Sequence, residues 1–242
     1  MTQSIALITG ANKGIGFETA RQLGAAGVHV IIGSRQLHAA EDAVARLRQQ
    51  GLSAEPIQLD VTDSTSVQQA AQTIASRHGQ LDILVNNAGI MRDAFDLPPS
   101  AQALPMWRET FDTNLFGVVT VTQALLPLIK KSAQGRIVNV SSILGSMAAN
   151  VDPTSAFYSF KIPAYNVSKT ALNAWTIHLA FELKDTGIKV NAAHPGFVKT
   201  DLHGVDAPMA PAEGAATSVR LALLAADGPT GRFYHAAEEQ PW

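Results

Sequence analysis

Tyr165 and Lys169 stand four residues apart in Tyr165-Asn166-Val167-Ser168-Lys169, and on a helix that spacing puts both on one face. A free phenol has a pKa near ~10 and gives up its proton sluggishly at neutral pH. An adjacent ammonium favours the phenolate, so Lys169 is expected to lower the Tyr165 pKa; a fall of ~3 units corresponds to about 4 kcal/mol. Tyr165 then serves as a general acid in carbonyl reduction or a general base in alcohol oxidation. Alone, Tyr-x-x-x-Lys is commonplace on helices and usually a surface pair. It gains weight from Asn139-Val140-Ser141-Ser142-Ile143-Leu144-Gly145, which offers two candidate hydroxyls. Strand alternation sends Ser141 and Ser142 to opposite sides, so only one is expected to point at Tyr165.

A second feature is built to hold an anion. Thr9-Gly10-Ala11-Asn12-Lys13-Gly14-Ile15-Gly16 joins a predicted strand to a predicted helix. Glycines allow a sharp turn and a close backbone approach to a pyrophosphate, and the helix amides beyond face the anion. The G-x-x-x-G-x-G spacing differs from the G-x-G-x-x-G fingerprint, so its placement between strand and helix carries the argument. An acid at the end of the second strand favours NAD, whereas a basic residue tolerates the 2′-phosphate of NADP. Here that strand ends Gly33-Ser34-Arg35, with no carboxylate before Glu41. Arg35 can pair bidentately with a phosphate, Ser34 can donate to it, and Lys13 can add a second positive charge. NADPH is the expected cofactor.

The elements that must position these residues alternate. Strands are predicted at 5–9, 28–33, 54–58, 81–86, 136–140, 189–193 and 231–235, and helices at 16–26, 37–50, 64–78, 106–131, 164–186 and 212–226. Ser64 or Asp63 is the expected cap of the third helix. Most of the strands are continuous apolar runs, as expected where helices cover both faces of a parallel sheet. The predicted fold is therefore α/β, a doubly wound seven-stranded parallel sheet of Rossmann type formed by residues 1–242 as one dinucleotide-binding domain. Three stretches, 90–101, 143–162 and 195–211, fit no regular element and follow the carboxyl ends of strands, where open α/β sheets bind ligands.

Composition narrows the function classes. The 242 residues carry 18 basic and 20 acidic side chains, a net charge of −2, which argues against nucleic acid as partner. The absence of cysteine excludes disulfides and thiolate chemistry and suits a reducing compartment. No basic leader opens the chain, and the longest apolar run, 115–129, is interrupted by Thr120, Thr122 and Gln123. A soluble, cytoplasmic chain without a membrane partner is expected. His29, His38 and His78 read as surface or packing residues, His194 lacks a ligand cluster, and His203 can touch substrate; no metal site is expected.

The glycine turn, Asn86-Asn87-Ala88-Gly89, Asp112-Thr113-Asn114-Leu115, the Ser142 to Gly145 segment, Tyr165-x-x-x-Lys169 and Pro195-Gly196-Phe197-Val198-Lys199-Thr200 occur in order at successive strand ends. As a set they strongly resemble the short-chain dehydrogenase/reductase family over nearly the whole chain. The resemblance implies that Ser142 holds the substrate oxygen, with Ser141 the competing candidate. It gives Lys169 a second role on the nicotinamide ribose and Asn114 a water in a proton relay to the lysine. It further implies that Asp60, with Val61, contacts the adenine, that Asn87, Ala88 and Gly89 pack round the adenosine ribose, and that Thr200 lies near the carboxamide. Gly10, Asn12, Lys13, Gly14, Ile15, Gly16, Ser34, Arg35, Pro195, Gly196 and Val198 complete the implied cofactor set.

The resemblance is nearest to the NADPH-dependent carbonyl-reductase branch. Segments 143–162 and 195–211 are expected to shape the substrate pocket, with Met91, Phe95, Phe157, Phe197 and Met209 round its mouth. An apolar aldehyde or ketone, reduced to an alcohol, is the expected substrate. An NAD-linked alcohol or steroid dehydrogenase and a ketoacyl-thioester reductase are the rival enzymes, and a non-catalytic nicotinamide-nucleotide sensor the rival outside catalysis. Monomer and homo-oligomer stay open.

Overall fold

Residues 3–202 and 206–242 are described by a computed structural model. Its strands are β1 (Ile5–Thr9), β2 (His29–Ser34), β3 (Ala54–Gln58), β4 (Ile83–Asn86), β5 (Arg136–Val140), β6 (Lys189–Ala193), β7 (Phe233–His235) and β8 (Glu238–Glu239). They form one sheet in the order β3-β2-β1-β4-β5-β6-β7-β8. All neighbours pair in parallel except β7 and β8. The expected seven parallel strands are thus joined by an eighth, antiparallel one. Two adjacent glutamates present no apolar pattern; they pair with Tyr234 and His235 after a turn in which Ala236 takes φ 51°.

Period-two alternation divides each strand between two cores. Ala6, Ile8, Val30 and Ile32 face one side, against helices α1 (Gly14–Ala25), α2 (Leu37–Gln49) and the last helix, Pro211–Ala222. Leu7, Ile31, Leu84 and Ile137 face the other, against α3 (Ser64–His78) and the later core helices. Asp63, not Ser64, caps α3, accepting from the Thr65 amide at 2.8 Å.

The helix predicted at 106–131 runs from Leu104 to Ile129 in three parts. These are α4 (Leu104–Phe111), a π turn (Asp112–Phe116) and α5 (Gly117–Ile129). A π turn leaves no mark in hydrophobic periodicity, and such turns are often found at functional sites. By length and composition this helix is apolar enough to cross a membrane, contrary to the reading of the interrupted run. Val121, Leu125, Leu128 and Ile129 are nevertheless buried in the second core. Within the stretch expected to be irregular, 143–162, lie a 3-10 turn (Ile143–Gly145) and the short α6 (Met147–Val151). Helix α7 (Pro163–Glu182) follows, and α8 is Pro211–Ala222.

Strand order reverses between β1 and β4. The connections leave in opposite directions there, opening a crevice beyond the carboxyl ends of these two strands.

Candidate active site

The crevice is fastened by Thr9, the last residue of β1. Its Oγ1 accepts from the Asn87 and Ala88 amides at 3.0 and 2.9 Å, while Asn87 Nδ2 donates to the Thr9 and Gly10 carbonyls at 2.9 and 3.2 Å. Gly10 has φ 62°, and a Cβ there would stand 3.1 Å from the Ala88 Cα. At Gly16, in the first turn of α1, a Cβ would press to 2.5 Å from Asn87 Nδ2 and 2.8 Å from the Gly10 carbonyl oxygen. The two strand ends therefore interlock only because side chains are missing at these positions. Thr9 escaped the sequence reading because a threonine ending a strand has no distinguishing spacing.

Ser34 is buried at the end of β2, and Arg35 beside it is exposed. Arg35, Gln58, Asp60, Asp63, Ser66 and Gln69 line an open depression of about 230 Å³. Asp60 Oδ1 accepts from the Thr62 amide and hydroxyl at 2.9 and 2.7 Å, and buried Val61 packs against Gly117. Lys13 is not a free second cation: it is paired with Asp201 in an exposed ion pair. Such pairs are worth ~0–1 kcal/mol, so a phosphate can displace the carboxylate. Thr200 lies beside Gly14, and Val198, fully buried, packs on Gly214 of α8 next to Ile15. Gly196 lies under Met209, and Pro195 is buried. The Gly-rich turn, the crevice and the depression beside Arg35 lie along one sheet edge and fit a dinucleotide.

The chemical group sits at the same edge. Asn139 and Ser141 of β5 and its extension face α7: Asn139 Nδ2 donates to Thr176 Oγ1 at 2.9 Å and Ser141 Oγ to Asn173 Oδ1 at 2.6 Å. Ser142 turns instead to the first turn of α7. Its Oγ accepts from the Leu144 amide at 3.2 Å, and its hydroxyl shares a hydrogen bond with Tyr165. Of the two candidate serines, only Ser142 reaches the phenol.

Lys169 is buried, with Nζ 5.7 Å from the Tyr165 ring centroid, and donates to the Val140 carbonyl at 2.8 Å. Nζ also lies beside Gly89. The electrostatics reverse the expectation of a phenol made acidic by its neighbour. Burial pushes the Tyr165 pKa up to about 12, against the opposing hydrogen bond from Ser142. Burial brings Lys169 down to about 8. Desolvation disfavours both charged forms, and packing depth, which spacing does not reveal, decides the direction. At neutral pH the phenol holds its proton.

Two further contacts brace this pair. Asn114, wholly buried in the π turn, accepts from the Ile90 amide at 2.8 Å and donates to the Ile90 carbonyl at 2.9 Å and to Ser168 Oγ at 3.0 Å. Its carboxamide thus ties the segment after β4 to α7. Asp93, in that segment and 6% exposed, accepts from the Ala164 amide at 2.8 Å and the Tyr165 amide at 3.1 Å. A carboxylate across the first free amides of α7 neutralises the positive end of the helix and fixes the Tyr165 backbone. No motif pointed to Asp93.

Of the expected mouth residues, Phe95 and Phe197 are exposed, whereas Met209 covers Gly196 and Phe157 packs on the Ile143, Ala192 and Phe233 cluster. Tyr158 lies under Lys161, whose Nζ is 4.8 Å from its ring. His194 sits near the site, its carbonyl 3.0 Å from His235 Nδ1. His38 is exposed, and His203 lies outside the described residues.

Similarity to known proteins agrees with this geometry. A family model described as short chain dehydrogenase matches residues 4–209. Short-chain dehydrogenase anuI of Penicillium roqueforti (strain FM164) is 38% identical over 228 residues, covering 92% of this chain and 89% of that protein. Carbonyl reductase [NADPH] 1 of Mus musculus is 35% identical over 280 residues, covering 100% and 99%. The structure of NADPH-bound carbonyl reductase from chicken fatty liver superposes with a TM-score of 0.86 at 27% identity, over 100% of both chains. On its fold, its sheet-edge residues and these matches, the chain belongs to the short-chain dehydrogenase/reductase family of oxidoreductases.

Proposed function

We propose that the protein reduces an aldehyde or ketone to an alcohol, with NADPH as hydride donor and Tyr165 as general acid. The observation that carries this reading is the Tyr165 phenol, held protonated by burial, hydrogen-bonded to Ser142 and beside the Lys169 ammonium. A group that keeps its proton at neutral pH is suited to giving it to an oxygen that is gaining charge. NADPH supplies the hydride when bound; the chain's own residues place the carbonyl and manage the proton.

Ser142 orients the substrate oxygen and donates to it alongside Tyr165. As the proton leaves Tyr165 Oη, the phenolate that develops is favoured by the nearby Lys169 charge. Asn114 and Asp93 hold the two segments on which this geometry depends, and a water relay past Asn114 can return the proton. Arg35 and Ser34 favour a 2′-phosphate at the adenosine end, in keeping with the NADPH in the names of the similar mouse and chicken proteins. We read the chain as one dinucleotide-binding domain in which 143–162 and 195–211 form the substrate pocket.

Tyr165→Phe tests the assignment. With a panel of aliphatic, aromatic and cyclic carbonyls, NADPH oxidation should fall by about 10²–10⁴-fold, the usual worth of a positioned acid. NADPH affinity, measured by fluorescence, should change less than threefold by comparison. Turnover close to that of the parent rejects the role of Tyr165. Tight NADPH binding without turnover of any carbonyl by the parent points instead to a nucleotide sensor.

A further inference from the structure

The opposite edge of the sheet holds a cluster that the proposed reaction does not use. His29 opens β2, Glu55 is the second residue of β3, and His78 closes α3. The six residues of β2 run from His29 to Ser34, about 17 Å at the rise of a strand. The chemistry of the cofactor edge does not call for these side chains.

Their donor atoms converge, no pair being farther apart than 4.8 Å. The Nδ1 of His29 is occupied by Ser53 Oγ at 2.7 Å, which sets the ring and turns Nε2 inward. That Nε2 is buried and has no hydrogen-bond partner. His78 Nε2 lies 2.8 Å from Glu55 Oε1, and the two side chains are 16% and 18% exposed. Burial is the main cause that pulls the His29 pKa below its ordinary value, with His78 and Arg48 adding to it and Glu55 opposing. A neutral imidazole is the form that binds metals. Arg77, 3.5 Å from Glu55 Oε2, is the other cation facing the cluster.

We propose that His29, Glu55 and His78 bind one divalent d-block cation of the zinc class, with water as fourth ligand. Two imidazoles and a carboxylate are a donor set that zinc accepts, at about 2.0–2.2 Å per bond. Tetrahedral bonds of that length put donors ~3.3 Å apart. The longest pair must close by about 1.5 Å, which side-chain rotation of Glu55 and the two histidines supplies. The His78–Glu55 hydrogen bond opens as both atoms turn to the metal, with the imidazole proton carried on Nδ1 so that Nε2 is free to ligate; because ligating groups must be deprotonated, affinity weakens in acid. Ser53 on His29 Nδ1 is the outer partner that ligating histidines normally have. The cation ties β2, β3 and the end of α3 together, and its effect is on stability and not on hydride transfer.

The test uses the full chain stripped with a chelator and titrated with Co²⁺, followed by competition with Zn²⁺. We expect one equivalent of Co²⁺ with the visible d–d bands of a four-coordinate site, displaced by Zn²⁺, and a rise in Tm with Zn²⁺. His29→Gln and His78→Gln should each weaken binding at least tenfold and abolish the Tm rise, with carbonyl-reducing activity unchanged. His235→Gln, in the His194–His235 pair near the cofactor edge, should bind as the parent does. Absence of the bands and of a Tm shift at equimolar metal overturns the proposal. So does binding that survives both cluster substitutions or disappears with His235→Gln.

Discussion

Gly145→Ala probes the packing that places Tyr165 without altering any reacting group. A Cβ at Gly145 would lie 2.7 Å from both the carbonyl carbon and the Cβ of Lys169, and 3.0 Å from its carbonyl oxygen. Carbon atoms rest at ~3.5–4.0 Å, so α7 or the turn carrying Ser142 must retreat by about 1 Å. Neither moves cheaply, because Thr170 Oγ1 and Asn173 Nδ2 both donate to the Gly145 carbonyl, at 2.9 and 3.3 Å. Overpacking of this kind costs ~1–3 kcal/mol, and a protein of this size loses ~2–4 °C of Tm per kcal/mol. A 1 Å displacement of positioned groups costs about 10²-fold in rate. The expected variant is folded, melts several degrees lower, binds NADPH within tenfold of the parent and turns over about a hundred times more slowly. Thermal unfolding, NADPH titration and steady-state reduction of one carbonyl measure the three quantities. Unchanged turnover with an unchanged Tm would show that α7 does not bear on this turn as the structure has it.

Two other outcomes follow from the site's charges. If NADPH binds as proposed, Arg35→Asp removes a charge-assisted bond to the 2′-phosphate and adds repulsion; at ~1.5–3 kcal/mol for such a bond, the kcat/KM ratio for NADPH over NADH should fall by at least about tenfold, and an unmoved ratio counts against Arg35. Lys169 has a pKa of about 8 in the folded chain, against ~10.4 unfolded. Between these values the unfolded state binds the extra proton, so stability rises with pH and the cost of burying the charge is relieved. Between pH 8 and 10, the stability of the parent minus that of Lys169→Met should climb by on the order of 1 kcal/mol per pH unit. The window stops at 10 because Tyr165, raised to about 12, then acts in the opposite sense. A flat difference in denaturant unfolding across this range argues that the lysine is not buried as a charge.

What the amino-acid order made legible was local. The apolar runs of β1, β2 and β5 and the strand-turn-helix at Gly10 to Gly16 announced themselves by period and spacing. Of Ser141 and Ser142 one meets Tyr165, as expected, but both reach α7, at Asn173 and Tyr165, and do not part to opposite sides. The π turn at Asp112–Phe116 stayed hidden because an extra residue in a helix barely disturbs an apolar stripe. β8 stayed hidden because an edge pair needs no buried face. The Tyr165 pKa was read in the wrong direction: proximity to Lys169 is written in the sequence, whereas the depth at which both lie depends on the whole fold. For the same reason His29 and His78 looked unrelated until the sheet brought them to one place.

The carboxylate of Asp93 gives the loop after β4 two halves with different freedoms. Up to that residue the loop is a tether, holding the helix that presents the phenol, and a change in its length would be felt at Oη. Beyond it, Phe95 lies open to solvent, while Gln102 holds the backbone at Ala94 and Leu97. On the proposed reading, the exposed Phe95 is the position in this loop to vary for substrate range, with 90–94 kept unchanged.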